Sequence, residues 1–161
     1  MIIDTIKASK KYIHKINRQE NKRRSQQSIA WATYNKGTGY HQILLPYHVN
    51  CKTHLHELAH CYLGHCIDDR TRIPLHEYIE QELSAEIWAY EKCNKTVSIE
   101  SLINIGYSAF EYCYSVSYIF NQLIIGLKKQ KYILDKNQRS YLWHELKYVA
   151  ILRKQEINRD S

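Results

Sequence analysis

At 161 residues and 44% hydrophobic, the chain has the length of one ordinary domain and apolar material for one core, so a single domain over residues 1–161 is expected. It contains no run of roughly eighteen apolar residues, and its N-terminus, MIIDTIKASKKYIHK, lacks an apolar block with a small-residue cleavage site. No membrane span or secretory leader is therefore expected, and the sequence reads as a cytoplasmic protein. Five cysteines (Cys51, Cys61, Cys66, Cys93 and Cys113) form an odd set without a C-x-x-C pair, which favours reduced, mostly buried thiols over a disulfide framework. Of the net charge of +7, residues 1–24 hold +6: Lys7, Lys10, Lys11, Lys15, Arg18, Lys22, Arg23 and Arg24 face only Asp4 and Glu20.

Ile2, Ile6, Ile13 and Ile16 recur near the helical period inside that basic stretch and predict an amphipathic N-terminal helix over about residues 3–24. Its basic face is either solvated or tracks phosphates or an acidic partner surface. The next segment, SQQSIAWATYNKGTGYHQILLPY, is aromatic and β-branched, with turn chemistry at Asn35, Gly37 and Gly39. It predicts one or two strands, the clearer being Tyr40 to Leu45, ended by Pro46. Helical periodicity resumes at about Thr53. Pro74 suits the first turn of a helix running to about Cys93, since that position needs no backbone donor. Asn94 and Lys95 break the pattern. Ser98 caps a helical stretch through Gln130, with Gly106 a point of interruption, and Asp135 or Asn137 opens a C-terminal helix to about Gln155. On that last helix Tyr141, Leu142, Leu146, Val149 and Leu152 suit either a core or a partner surface. The fold class is mainly α with a small β element.

The chemistry concentrates in HLHELAHCYLGHC, His54 to Cys66. On a helix turning about 100° per residue, His56 and His60 differ by only about 40°, so both imidazoles share a face and can hold one ion. Glu57 lies about 60° from His60, close enough to reach a water at such an ion without displacing it. This is the mechanical content of H-E-x-x-H: two ligands and a general base on one rigid element. His54, Cys61 and His65 lie about 100–140° from the nearer of the two histidines and point elsewhere, His65 returning only if the helix ends at Gly64.

A catalytic zinc takes three protein ligands and keeps a position for water, so a third ligand must come from elsewhere. The acidic run EYIEQELSAEIWAYE supplies candidates. Glu82 and Glu86 are four apart and share a face, flanked by Leu83, Ile87 and Trp88, while Glu77, Glu80 and Glu91 lie on other faces. Periodicity does not decide between the two. One of them ligating leaves the other, a turn away, to accept the second N–H of a liganding imidazole.

HELAHCYLGH and EQELSAEIWA together resemble the metallopeptidase domain of antirestriction proteins of the ArdC type. More broadly they resemble the ImmA/IrrE group of H-E-x-x-H proteins, where an E-x-x-A-x-x-F-A helix gives the third ligand. The resemblance covers about residues 30–125, taking in the strand YHQILLP and the segment SYIFNQL. It implies a zincin-like α+β fold in which the active-site helix is followed by the helix of the third ligand. It further implies His56, His60 and Glu82 as ligands of one Zn2+ per chain, Glu57 as catalytic base, and Glu86 as the carboxylate behind a liganding histidine. Trp88 stands where those families have glycine or phenylalanine, and the interval from the second histidine to His65 is one residue longer than theirs.

The expected activity is hydrolysis of a peptide bond in an intracellular protein substrate, as part of a mobile-element or phage antirestriction or regulatory factor. Glu57 would take the proton of a zinc-activated water and pass it to the leaving amine. Tyr114, Tyr118 and His144 are candidates for a further donor to the oxyanion. A second class is a non-catalytic, zinc-stabilised binding module that contacts nucleic acid or a protein partner through the basic N-terminal arm.

Overall fold

The computed structural model describes residues 13–16, 31–35, 40–44, 51–65, 73–113 and 115–160. Among these the chain is mainly helical. Three short strands, β1 (Ile13–Ile16), β2 (Trp31–Asn35) and β3 (Tyr40–Leu44), precede five helices: α1 (Cys51–Tyr62), α2 (Leu75–Lys92), α3 (Ile99–Ala109), α4 (Val116–Lys129) and α5 (Lys136–Asp160). No helix among the described residues is long and apolar enough to cross a membrane. Two compact units are formed, one from Met1–Ile73 with Ala85–Thr96, the other from Pro74–Ser84 with Val97–Ser161. The unbroken helix α2 contributes to both.

In the first unit the strands are ordered β1-β3-β2. β2 and β3 pair antiparallel from Trp31↔Leu44 to Asn35↔Tyr40, and the opposed pair Ala32 and Ile43 is buried. This sheet packs against α1. The helix in turn buries Leu55, Leu58 and Ala59, at the three- and four-residue spacing that makes one apolar stripe.

The other edge of β3 corrects the reading of the N-terminal segment. Ile13–Ile16 is a strand and no part of a helix, pairing parallel to β3 with Ile13 opposite His41 and Ile16 opposite Ile43. A row of backbone donors and acceptors on β3, together with two β-branched isoleucines, outweighs a weak local helical period. The remainder of residues 1–24, including most of the basic arm, lies outside the described residues.

Helix boundaries follow capping chemistry. Pro74 stands just before α2, one position earlier than expected, and its carbonyl accepts the Tyr78 N–H at 3.0 Å. Asn94, with φ of 55°, ends the same region in the left-handed conformation that asparagine tolerates. Ser98 caps α3 by accepting from the Ser101 N–H, and Ser115 caps α4 by accepting from Tyr118. At α5, Asp135 accepts the Gln138 N–H at 2.8 Å while the Gln138 side chain accepts the Asp135 N–H at 3.0 Å, a reciprocal capping box. α5 runs on to Asp160, past the expected end near Gln155.

In the second unit Leu102, Ile105 and Ala109 of α3, Ile119, Leu123 and Leu127 of α4, and Leu142, Leu146 and Ala150 of α5 are buried. Leu142 and Leu146 thus close a core, whereas Tyr141, Tyr148 and Ile151 face outward. The helical stretch expected from Ser98 to Gln130, with Gly106 as its point of interruption, is two helices, and the break lies after Ala109, where Ser115 restarts the chain, instead of at Gly106. Gly106 sits inside α3 because a Cβ there would collide with the buried Leu146.

Gly106→Ala therefore sets two effects against each other. Alanine gains about 1 kcal/mol of helix propensity, while forcing a methyl into a filled core costs about 1–3 kcal/mol. With Leu146 fully buried the collision wins, and a net loss of stability is expected in urea titration. A raised midpoint would show that Leu146 rotates away freely.

Candidate metal centre

Residues 52, 56 and 60 of α1 form one stripe, residues 82, 86 and 90 of α2 another, each at four-residue spacing. The stripes meet running in opposite directions. His56 and His60 turn their Nε2 atoms toward each other at 3.0 Å, with ring planes at 79°. Glu82 completes a group in which one ligand atom from each of the three residues lies within 4.8 Å of the others. This His-His-Glu group could hold a metal ion. Two imidazole nitrogens bound at about 2.0–2.1 Å to one tetrahedral ion stand about 3.3–3.4 Å apart, so the Nε2 pair at 3.0 Å needs to open by only a few tenths of an ångström to share an ion.

Behind each histidine stands a partner for the other ring nitrogen. His56 Nδ1 lies 2.6 Å from Glu86 Oε2, and Glu86 Oε1 lies 2.6 Å from Lys52 Nζ. Lys52 in turn sits 5.1 Å from the centre of the Tyr90 ring, a cation–π contact. Burial pushes the Glu86 carboxyl up, but the hydrogen bond and charge of His56, followed by those of Lys52, outweigh it and hold the group at about 2. An ionised carboxylate only accepts, so the shared hydrogen is donated by His56 Nδ1. When the ring is neutral, that hydrogen bond fixes the Nδ1–H tautomer and leaves Nε2 unprotonated, the form a metal needs.

His60 is 1% exposed, and its Nδ1 lies 3.2 Å from Nδ1 of His65. The end of α1 makes this approach possible. Gly64 adopts φ of +75°, the His65 N–H bonds the His60 carbonyl at 2.9 Å, and the Gly64 N–H bonds the Cys61 carbonyl at 3.3 Å. That pair of bonds is a Schellman motif, which requires a left-handed residue that glycine supplies without strain.

Glu57, between His56 and Leu58, is buried at 7% exposure. Cys61 is buried in the α1 core, and His54 is half-buried with Nε2 unpartnered, its imidazole pushed toward the neutral form by desolvation. Glu77 and Glu91 are exposed and Glu80 pairs with Lys129 at 3.1 Å. Tyr118 and His144 are exposed on α4 and α5, while Tyr114 and Cys66 lie outside the described residues. Sequence reasoning missed Lys52, although its place one turn before His56 was available as a signal. Comparison with protein-family models, curated proteins and solved structures returns no match.

Proposed function

We propose that the protein is a zinc-dependent metallopeptidase-like hydrolase with a zincin-like architecture, an H-E-x-x-H helix on a small sheet followed by a helix that gives the third ligand. The observation that carries this reading is the meeting of His56, His60 and Glu82 within ligand distance of one another. Two nitrogens and one carboxylate oxygen form the donor set typical of a catalytic zinc with an open position. These three residues would hold the ion, which supplies Lewis acidity toward water and a carbonyl oxygen. Glu57, beside His56 on α1, takes the proton of the attacking water and returns it to the leaving amine. Glu86 keeps His56 in its ligating tautomer. The substrate in this reading is a peptide bond of an intracellular protein, as the resemblance to antirestriction metallopeptidases suggests.

Elemental analysis of protein purified without a histidine tag tests it. About one zinc per chain is expected for the parent and almost none for His60→Ala. A parent that holds no stoichiometric metal after zinc loading and removal of the excess refutes the proposal.

A further inference from the structure

We infer that His65 is a positioning residue for His60: the left-handed turn at Gly64 brings its Nδ1 behind the His60 ring, where it holds that ring by the nitrogen facing away from the metal group. The inference rests on the metal reading above. On a continuing helix, five residues separate His60 from His65 by about 140°, and the two rings could not meet. With Gly64 at φ of +75° the chain folds back, and the ring centres come to 5.4 Å.

The chemistry needs an acceptor at that place. His60 can ligate through Nε2 only when that nitrogen carries no proton, which leaves the proton on Nδ1. At 1% exposure, an Nδ1–H without a partner would bear the desolvation cost of an unmade hydrogen bond. His65 Nδ1, 3.2 Å away, accepts it, with the His65 proton carried on Nε2. His65 does for His60 what Glu86 does for His56, with a neutral ring in place of a carboxylate. His65 stands outside the group of converging ligand atoms, since it meets His60 at Nδ1 while His56 meets it at Nε2.

Zinc affinity, measured by competition with a chromophoric chelator, distinguishes the roles, and the visible absorption of cobalt-loaded protein reports the ligand set. His65→Leu is expected to bind zinc with unchanged stoichiometry but about 10–100-fold more weakly. His65→Asn, whose amide oxygen can take the Nδ1–H, should recover most of the affinity. His65→Lys, polar but with no acceptor, should be as weak as His65→Leu, so the comparison survives if the leucine variant folds poorly. The cobalt spectrum should be the same in all variants. Parent-like affinity in both His65→Leu and His65→Lys would overturn the inference, as would a changed cobalt spectrum or complete loss of the ion, which would make His65 a ligand. A parent that binds no zinc removes the metal reading itself, and this inference with it.

Discussion

Glu82→Ala is expected to leave the protein folded and nearly free of zinc, whereas Glu86→Ala keeps the ion and holds it about 10–100-fold more weakly. The two glutamates sit one turn apart on one helix, so secondary structure alone treats them alike. Their partners separate them. Glu82 belongs to the converging group with His56 and His60, and its loss leaves two protein ligands. Glu86 instead accepts from His56 Nδ1 at 2.6 Å, so its loss frees the ring to rotate or to protonate at Nε2. Lys52, 37% exposed at its side chain, turns to solvent when that carboxylate is removed. The depressed Glu86 carboxyl gives the metal-free fold a contribution that is present above its ordinary value of 4.5 and is lost as pH falls toward about 2. Equilibrium dialysis with metal analysis of the two alanine variants is the check, and equal retention by both would reverse the assignment.

Glu57→Gln is expected to retain its zinc and lose roughly 10²–10⁴-fold in hydrolysis, the range attached to a positioned acid–base group. Glutamine matches glutamate in size at this buried position but cannot take a proton. Metal content should equal the parent's while cleavage, followed by mass spectrometry on a peptide that the parent cuts, falls away. Parent-like cleavage by metal-loaded Glu57→Gln would remove Glu57 from the mechanism.

Much of this arrangement was legible because it depends on short-range geometry. The four-residue spacing of His56 and His60 places both rings on one face whatever packs above them, and Ser98 and Asp135 cap helices by bonds to residues three positions on. Features decided by distant contacts were not legible. The helical period around Ile13 and Ile16 yields to an edge offered by β3, more than twenty residues away in sequence. Gly106 resembles a breaker until Leu146 is seen against it, and the chain breaks beyond Ala109 instead. Spacing left Glu82 and Glu86 equivalent, since only the opposing helix tells them apart. His65 was misleading for a different reason: helical arithmetic holds only while the helix continues, and one left-handed glycine cancels it.

Seen along their length, the facing stripes carry Lys52, His56 and His60 on α1 and Glu82, Glu86 and Tyr90 on α2, with Tyr78, which packs on Tyr112, one turn before Glu82 in sequence. If α2 slid by one turn in one direction, His60 would face Tyr78; in the other, His56 would face Tyr90. Either slip replaces a carboxylate with a phenol. The order of residues along the two helices thus ties the converging group to alignment, since it is the native register that sets Glu82 beside both histidines.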